Sequence, residues 1–476
     1  MSFGGGSSSA TGAAAAGVPA EFRDPAFRAR RNQNWIVLGL LYAVFYMTRY
    51  NFAAVMADLS GTFGWTNTQL GVFETMMPLV YGLSVVFNGP VSDRIGGKKA
   101  FLFGAAGVVV MNFLFGACIL LVQAPAVMAG AGHAAHVLTP AVLRFGLEPR
   151  TVLTLMATIW AINGYFQSFG ALSIVKVNAH WFHVRERGTF AGIFGVLIRF
   201  GLILSFSGVP LILTVLPLQY AFWLPGTCVA VLFALNYFFM ENSPDDAGFG
   251  DMDTGDGTVA DGGRPAPLKE VLAKVFANRA TWAIALTSMM VGMVRRSTID
   301  SWYPKYFKEL YLPAGMQSVA SFVPYQATVW GIALCGIAGG FAFGMASDRV
   351  FGGRRAPVIT VGFLGMIFFL FLFGLLDHIQ VSPWTGAVCL SLLSFFVNGA
   401  HGMIGGAASM DFGGKKAAAT AAGLFDGMQY LASSFVGVGM GWMLDHYGWH
   451  YWQFVPIPFA IIGALVISRL WNVLPK

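Results

Sequence analysis

Apolar residues in this chain gather into long runs separated by short polar stretches, and the runs return at regular intervals from residue 34 to residue 473. A helix rising 1.5 Å per residue needs about twenty residues to cross ~30 Å of hydrocarbon. The pattern predicts twelve such crossings, near 34–58, 69–91, 100–122, 152–178, 188–211, 216–240, 281–303, 324–346, 356–376, 383–409, 418–443 and 450–473. Between the sixth and seventh, residues 241–265 turn acidic and Gly-rich, and 267–278 (PLKEVLAKVFAN) read as a short amphipathic helix on the membrane surface. The expected division is a disordered tail over 1–32, a six-helix bundle over 33–240, a linker over 241–280 and a second six-helix bundle over 281–476. The expected fold class is an all-α membrane protein.

Composition agrees. The chain is 56% hydrophobic and only 11% charged, too little charge to cover a soluble protein of this size. Of the 29 lysines and arginines, twenty fall in segments on the side of the N-terminus and four on the other, with five inside the spans. That asymmetry predicts that both termini are cytoplasmic. The tail before Arg23, Arg28, Arg30 and Arg31 is Gly/Ser/Ala-rich and lacks the apolar core of a signal peptide, so the first helix is expected to direct insertion itself.

The formal charge of +7 does not indicate nucleic acid, because no basic stretch carries interleaved aromatics. Cys118, Cys228, Cys335 and Cys389 lie in separate apolar runs and read as packing residues. No cluster has metal-ligand spacing and no nucleophile elbow appears. GGFAFG at 339–344 is a helix-packing glycine pattern. Neither a metal, a cofactor nor an enzymatic activity is expected.

Two repeats mark a duplication. GPVSDRIGGKK (89–99) returns as GMASDRVFGGRR (344–355), and TFAGIFG (189–195) returns as TAAGLFDG (420–427). Asp93 and Asp348 are 255 residues apart, Gly192 and Gly423 only 231, which places a 24-residue insertion in the first half, at 123–150.

The charges inside the spans carry the chemistry, since an ionised group near the midplane costs several kcal/mol unless paired or solvated in a cavity. Arg49 lies ~21 Å along the first helix, and Arg296 lies at nearly the same depth on the seventh. Two guanidiniums at one level, facing one cavity, suit the oxygens of a phosphoryl group. The plainer reading pairs each with a buried acid: Asp300 for Arg296, Glu74 for Arg49. Arg295 would point about 100° from Arg296 and reads as a supporting or snorkelling residue.

The loop Gly89, Asp93, Arg94, Gly96, Lys98, Lys99, repeated around Asp348 and Arg349, resembles the signature loop of the major facilitator superfamily. The resemblance implies two six-helix bundles and gating roles for Asp93, Arg94, Asp348 and Arg349. Y-x-x-x-Y-x-x-R-x-N-F from Tyr42 to Phe52 resembles the first helix of the organophosphate:phosphate antiporters, the glycerol-3-phosphate and hexose-phosphate carriers. R-x-x-I-D-x-W from Arg296 to Trp302, HWFHVRERGT at 180–189 and residues 395–425 resemble further parts of that group.

The resemblance implies exchange of an organic phosphate for inorganic phosphate by alternating access, with Arg49 and Arg296 gripping the phosphoryl group; Tyr42, Tyr46, Arg199 and His401 are the further candidates for contact with the substrate. The chain departs from the group at Val85 (often Lys), Tyr50 (a basic residue), Ile198 (His, with Arg199 adjacent) and Ala400-His401 (Pro-Gln), so the carbon skeleton of the substrate is left open. The expected setting is the inner membrane, as a monomer in the lipid bilayer. Two other activities stay open: an organophosphate-binding membrane sensor with little transport, and a proton-coupled importer of another organic anion, with His401 or Asp300 carrying the proton.

Overall fold

The computed structural model describes residues 19–120, 149–183, 186–254, 279–379 and 382–473. Among them every regular element is helical, and the helices group into twelve rows. Span 1 runs through Pro25–Ala54 and Met56–Phe63, span 2 is Asn67–Ile95, span 3 Gly97–Leu120 and span 4 Pro149–Trp181. Span 5 runs from Arg187–Ile203 through a π turn, Leu204–Gly208, to Val209–Ile212, and span 6 is Tyr220–Phe239. Span 7 comprises Arg279–Ser297 and Tyr303–Leu310, span 8 is Val323–Arg349 and span 9 Arg355–His378. Span 10, Pro383–Gly402, passes through a π turn at Met403–Ala408 into span 11, Ser409–Tyr447, and span 12 is Ile457–Ser468. Eight of the helices are long and apolar enough by themselves to cross a membrane; spans 4, 7, 11 and 12 are more polar or shorter.

Local chemistry explains where these rows begin and break. Span 1 starts at Pro25, inside the stretch expected to be tail, because Asp24 accepts a hydrogen bond from the Phe27 backbone N–H at 3.2 Å and proline is preorganised for the first helical turn. Phe22 and Phe27 then bury against Trp181, His183 and Phe249. Span 2 opens with a reciprocal cap in which Gln69 and Thr66 satisfy each other's backbone N–H groups. Span 7 breaks after Ser297, ahead of Pro304, and the Asp300 N–H reaches back to the Arg295 carbonyl at 3.1 Å.

The two halves repeat one packing scheme. Spans 2 and 4, 3 and 4, 3 and 6, 1 and 6, and 1 and 5 pack together in the first half; spans 8 and 10, 9 and 10, 9 and 12, 7 and 12, and 7 and 11 do so in the second. Across the seam, span 2 packs on span 11 and span 5 on span 8. This correspondence is what an internal duplication produces. The insertion at 123–150 lies almost wholly outside the described residues, as does the amphipathic stretch 267–278. The start of the linker is described: the Glu241 N–H donates to Asn34 Oδ1 at 2.7 Å, and Lys98 Nζ pairs with Glu241 at 3.1 Å. It fastens to the face where span 1 begins, here called the terminal face.

The seam is closest toward the opposite face. There a Cβ on Gly71 would stand 2.4 Å from the Gly437 carbonyl oxygen, and one on Gly441 would stand 2.1 Å from the Asn67 carbonyl oxygen. Small residues let the two backbones touch.

Candidate substrate site

Tyr42, Tyr46, Arg49 and Tyr50 follow one another at helical spacing on span 1, so one face carries three rings and a cation. Arg49 is 2% exposed. Its Nε and Nη2 donate to Gln167 Oε1 on span 4 at 3.3 and 3.2 Å, and Nη1 donates to the Tyr430 hydroxyl on span 11 at 3.3 Å. The rings of Tyr46 and Tyr81 lie 4.7 Å from its Cζ. Gln167 is held in turn by Thr48 Oγ1 at 3.0 Å and the Phe45 carbonyl at 3.3 Å. Among the described residues no carboxylate pairs with Arg49. Neutral oxygens and aromatic faces stabilise the guanidinium without cancelling its charge.

The other arginines of this level are placed differently. Arg296 Nη2 pairs with Glu74 Oε2 on span 2 at 2.7 Å, and Ser301 Oγ donates to the same oxygen at 2.6 Å. Arg296 Nε is buried without a partner. Glu74 therefore serves Arg296 and not Arg49, and Asp300 does not serve Arg296. Instead Asp300 Oδ2 pairs with Arg295 Nε at 2.7 Å and accepts from the Tyr50 hydroxyl at 3.4 Å. Arg295, expected to point away, lines the seam: its Nη1 lies 3.4 Å from His401 Nε2. Asp426 on span 11 lies within electrostatic range of both Arg295 and Arg49. The break in span 7 folds Asp300 back over the last helical turn, where its carboxylate meets Arg295 and not Arg296.

His401 also contacts Gln429 Nε2 through Nδ1 at 3.0 Å. Donors then face both ring nitrogens, while Gln429 Oε1 is buried without a partner. Rotating the amide resolves both: Nδ1–H donates to Gln429, and Nε2 accepts from Arg295. Arg199 donates to Asn398 Oδ1 on span 10, and Asn398 is fixed by the Ser394 carbonyl at 2.9 Å and hydroxyl at 2.8 Å. A Cβ on Gly336 would stand 3.3 Å from Arg199 Cζ, so glycine there makes room for the guanidinium. Tyr42 is buried and meets Tyr46 edge-on at 5.3 Å.

Thus Tyr42, Tyr46, Arg49, Arg199 and His401 gather around the seam, and Arg296 crosses it to pair with Glu74. The signature loops stand apart, on the terminal face. Asp348 pairs with Arg355 of its own hairpin at 2.6 Å, and Arg94 and Arg349 are exposed; the side chain of Asp93 is outside the description. Sequence reasoning passed over Gln167, Tyr81, Tyr430, Gln429 and Asp426. For Asp426 the signal was present, an acid inside a predicted span and within a repeated motif. An apolar hollow of about 600 Å³ between spans 2 and 4, lined by Val72, Met76, Leu153 and Ala157, holds no charged group and does not suit an anion.

The Major Facilitator Superfamily profile matches residues 38–437. The chain belongs to that family. Over 478 residues it is 25% identical to a probable hexose phosphate transport protein of Chlamydia muridarum (strain MoPn / Nigg), covering 95% of this chain and 94% of that one. It is 26% identical over 460 residues to the glycerol-3-phosphate transporter of Bacillus subtilis (strain 168), covering 94% of each. It is 27% identical over 463 residues to the membrane sensor protein UhpC of Salmonella typhimurium (strain LT2), covering 94% and 93%. These are members of the organophosphate group that the motifs resemble. The fold is also that of a bacterial homolog of the human lysosomal transporter Spinster, with a TM-score of 0.67 at 13% identity, covering 93% of this chain and 97% of that one. The chain is thus an integral membrane protein of the major facilitator fold.

Proposed function

We propose that this protein exchanges a phosphorylated small metabolite, of the sugar phosphate or glycerol-3-phosphate type, for inorganic phosphate by alternating access. The single observation that carries this reading is Arg49: a buried guanidinium at the seam, caged by Tyr46, Tyr81, Gln167 and Tyr430, with no carboxylate paired to it among the described residues. Such a group gains most when a phosphoryl oxygen replaces the neutral acceptors. Arg295 supplies the second cation by exchanging part of its contact with Asp300 for the anion, while Arg296 stays with Glu74. Arg199, His401, Tyr42 and Tyr46 face the organic part. The likeness to a glycerol-3-phosphate transporter and a hexose phosphate transport protein supports the substrate class.

Exchange follows from the same electrostatics. Without an anion the cations on the two halves repel, and binding offsets that cost, so the loaded protein changes access more readily than the empty one. The charge asymmetry of the loops favours an inner membrane setting with both termini cytoplasmic, and a monomer suffices because the site is complete within one chain. Asp93, Arg94, Asp348 and Arg349 are the gating residues of the terminal face. The two bundles run from Pro25 to Met240 and from Arg279 through span 12, joined by the linker between them. The test is counterflow: proteoliposomes loaded with inorganic phosphate should take up labelled glycerol-3-phosphate or hexose phosphate, and unloaded ones should not. Uptake that ignores internal phosphate and follows an imposed pH gradient would overturn exchange.

The sensor relative favours a second reading, in which the same site binds an organophosphate and reports it with little transport. Binding without counterflow would select it.

A further inference from the structure

At the opposite face, one carboxylate of the second half sits on the start of a helix of the first. Asp445, near the end of span 11, accepts from the backbone N–H groups of Asn67 at 2.9 Å and Thr68 at 2.7 Å, and from Thr68 Oγ1 at 2.6 Å. The first N–H groups of any helix lack partners within it and carry the positive end of its dipole. Span 2 therefore offers an anion seat, and the other half fills it.

This contact begins a continuous line. One turn further, Gly71 meets Gly437 backbone to backbone. Next, Thr75 Oγ1 donates to the Ser434 carbonyl at 2.8 Å and accepts from the Val438 N–H at 3.0 Å. Then Glu74 pairs with Arg296 at 2.7 Å. Beside it, Lys308 of span 7 pairs with Asp58 at the end of span 1. Between the spans, the Thr75 and Asp445 contacts are the polar ones that direct the register, because the rest of the line is close-packed backbone. Of the two, only Asp445 is charged, and it lies at the outermost point, where the line must first part.

We propose that Asp445 is a latch of the opposite face: its carboxylate pins the N-terminus of span 2 to span 11, and release of this contact is the first step in parting these two spans. The proposal concerns access and needs no particular substrate, so it stands apart from the phosphate reading and fails separately from it.

The experiment uses the purified full chain in detergent with a reporter thiol. Ser434 is small, 2% exposed and buried in the line between spans 2 and 11, so Ser434→Cys reacts with a water-soluble maleimide only when the seam parts. The four native cysteines are accounted for by labelling the parent chain in parallel. In the reporter background, Asp445→Asn should speed labelling by about tenfold, the equivalent of one charge-assisted hydrogen bond. Asp445→Glu, which keeps the charge, should label slowly. The thermal transition and elution profile of each variant separate opening from unfolding, and Thr68→Val, which removes only the hydroxyl donor, should give an intermediate rate. Equal labelling rates for Asp445→Asn and the reporter parent, with both folded, would overturn the latch. So would fast labelling by Asp445→Glu equal to that of Asp445→Asn.

Discussion

Glu74 and Arg296 meet across the seam, Oε2 to Nη2 at 2.7 Å, both almost fully buried, with Ser301 donating to the same carboxylate oxygen. The pair joins span 2 of one half to span 7 of the other, and so belongs to the closure of the opposite face. Removing one partner of a buried pair leaves an unpaired charge, at a cost of about 3–5 kcal/mol. Glu74→Gln should therefore lower the thermal transition clearly, and Glu74→Gln with Arg296→Gln should recover part of the loss. A double variant no more stable than the single one would show that the two residues do not act as a pair.

Arg295 and Arg296 are adjacent in sequence but have different tasks on this account. Arg295→Gln should weaken inorganic phosphate binding by about tenfold or more, one charge-assisted hydrogen bond's worth. Arg296→Gln should leave binding affinity closer to the parent and act mainly on stability and turnover. Titrating phosphate against thermal stability for each variant measures this, and the reverse order of affinities would return the second grip to Arg296.

The backbone contact between spans 2 and 11 leaves no room for a methyl group. A Cβ on Gly437 would stand 2.5 Å from Thr75 N and Oγ1, and overpacking of this kind costs about 1–3 kcal/mol. Gly437→Ala should bias the protein toward parting of the seam, seen as faster labelling at a Ser434→Cys reporter. Gly439 has nothing within 4 Å of the same construction, so Gly439→Ala is the control and should label like the parent.

Much of this architecture was legible in the sequence because the membrane imposes it. Long apolar runs with charge gathered on one side fix helices and their alternation, and the repeats around Asp93/Asp348 and Gly192/Gly423 give two halves that the packing scheme matches. The beginning of span 1 was not legible, because Arg28, Arg30 and Arg31 look like tail by composition, while the burial of Phe22 and Phe27 that holds the capped start in place depends on partners far along the chain. Arg49 was legible as an isolated charge in an apolar run. The fates of Arg295 and Arg296 were not, because helical spacing assumes an unbroken helix and span 7 breaks two residues later. Neutral partners such as Gln167 and Tyr430 carry no sequence signal strong enough to single them out, since each acts only through the neighbour that folding supplies.

In the proposed exchange, Arg49 holds the phosphoryl group. The most direct measurement is equilibrium binding of inorganic phosphate and of glycerol-3-phosphate to purified Arg49→Lys, followed by ligand-induced thermal stabilisation. Lysine keeps the charge but loses the fork that reaches Gln167 and Tyr430. Arg49→Lys is expected to fold and to be stabilised by neither ligand, beside a parent chain that at least one of them stabilises. Stabilisation of Arg49→Lys by the same ligand, at the same concentrations as the parent, would contradict it.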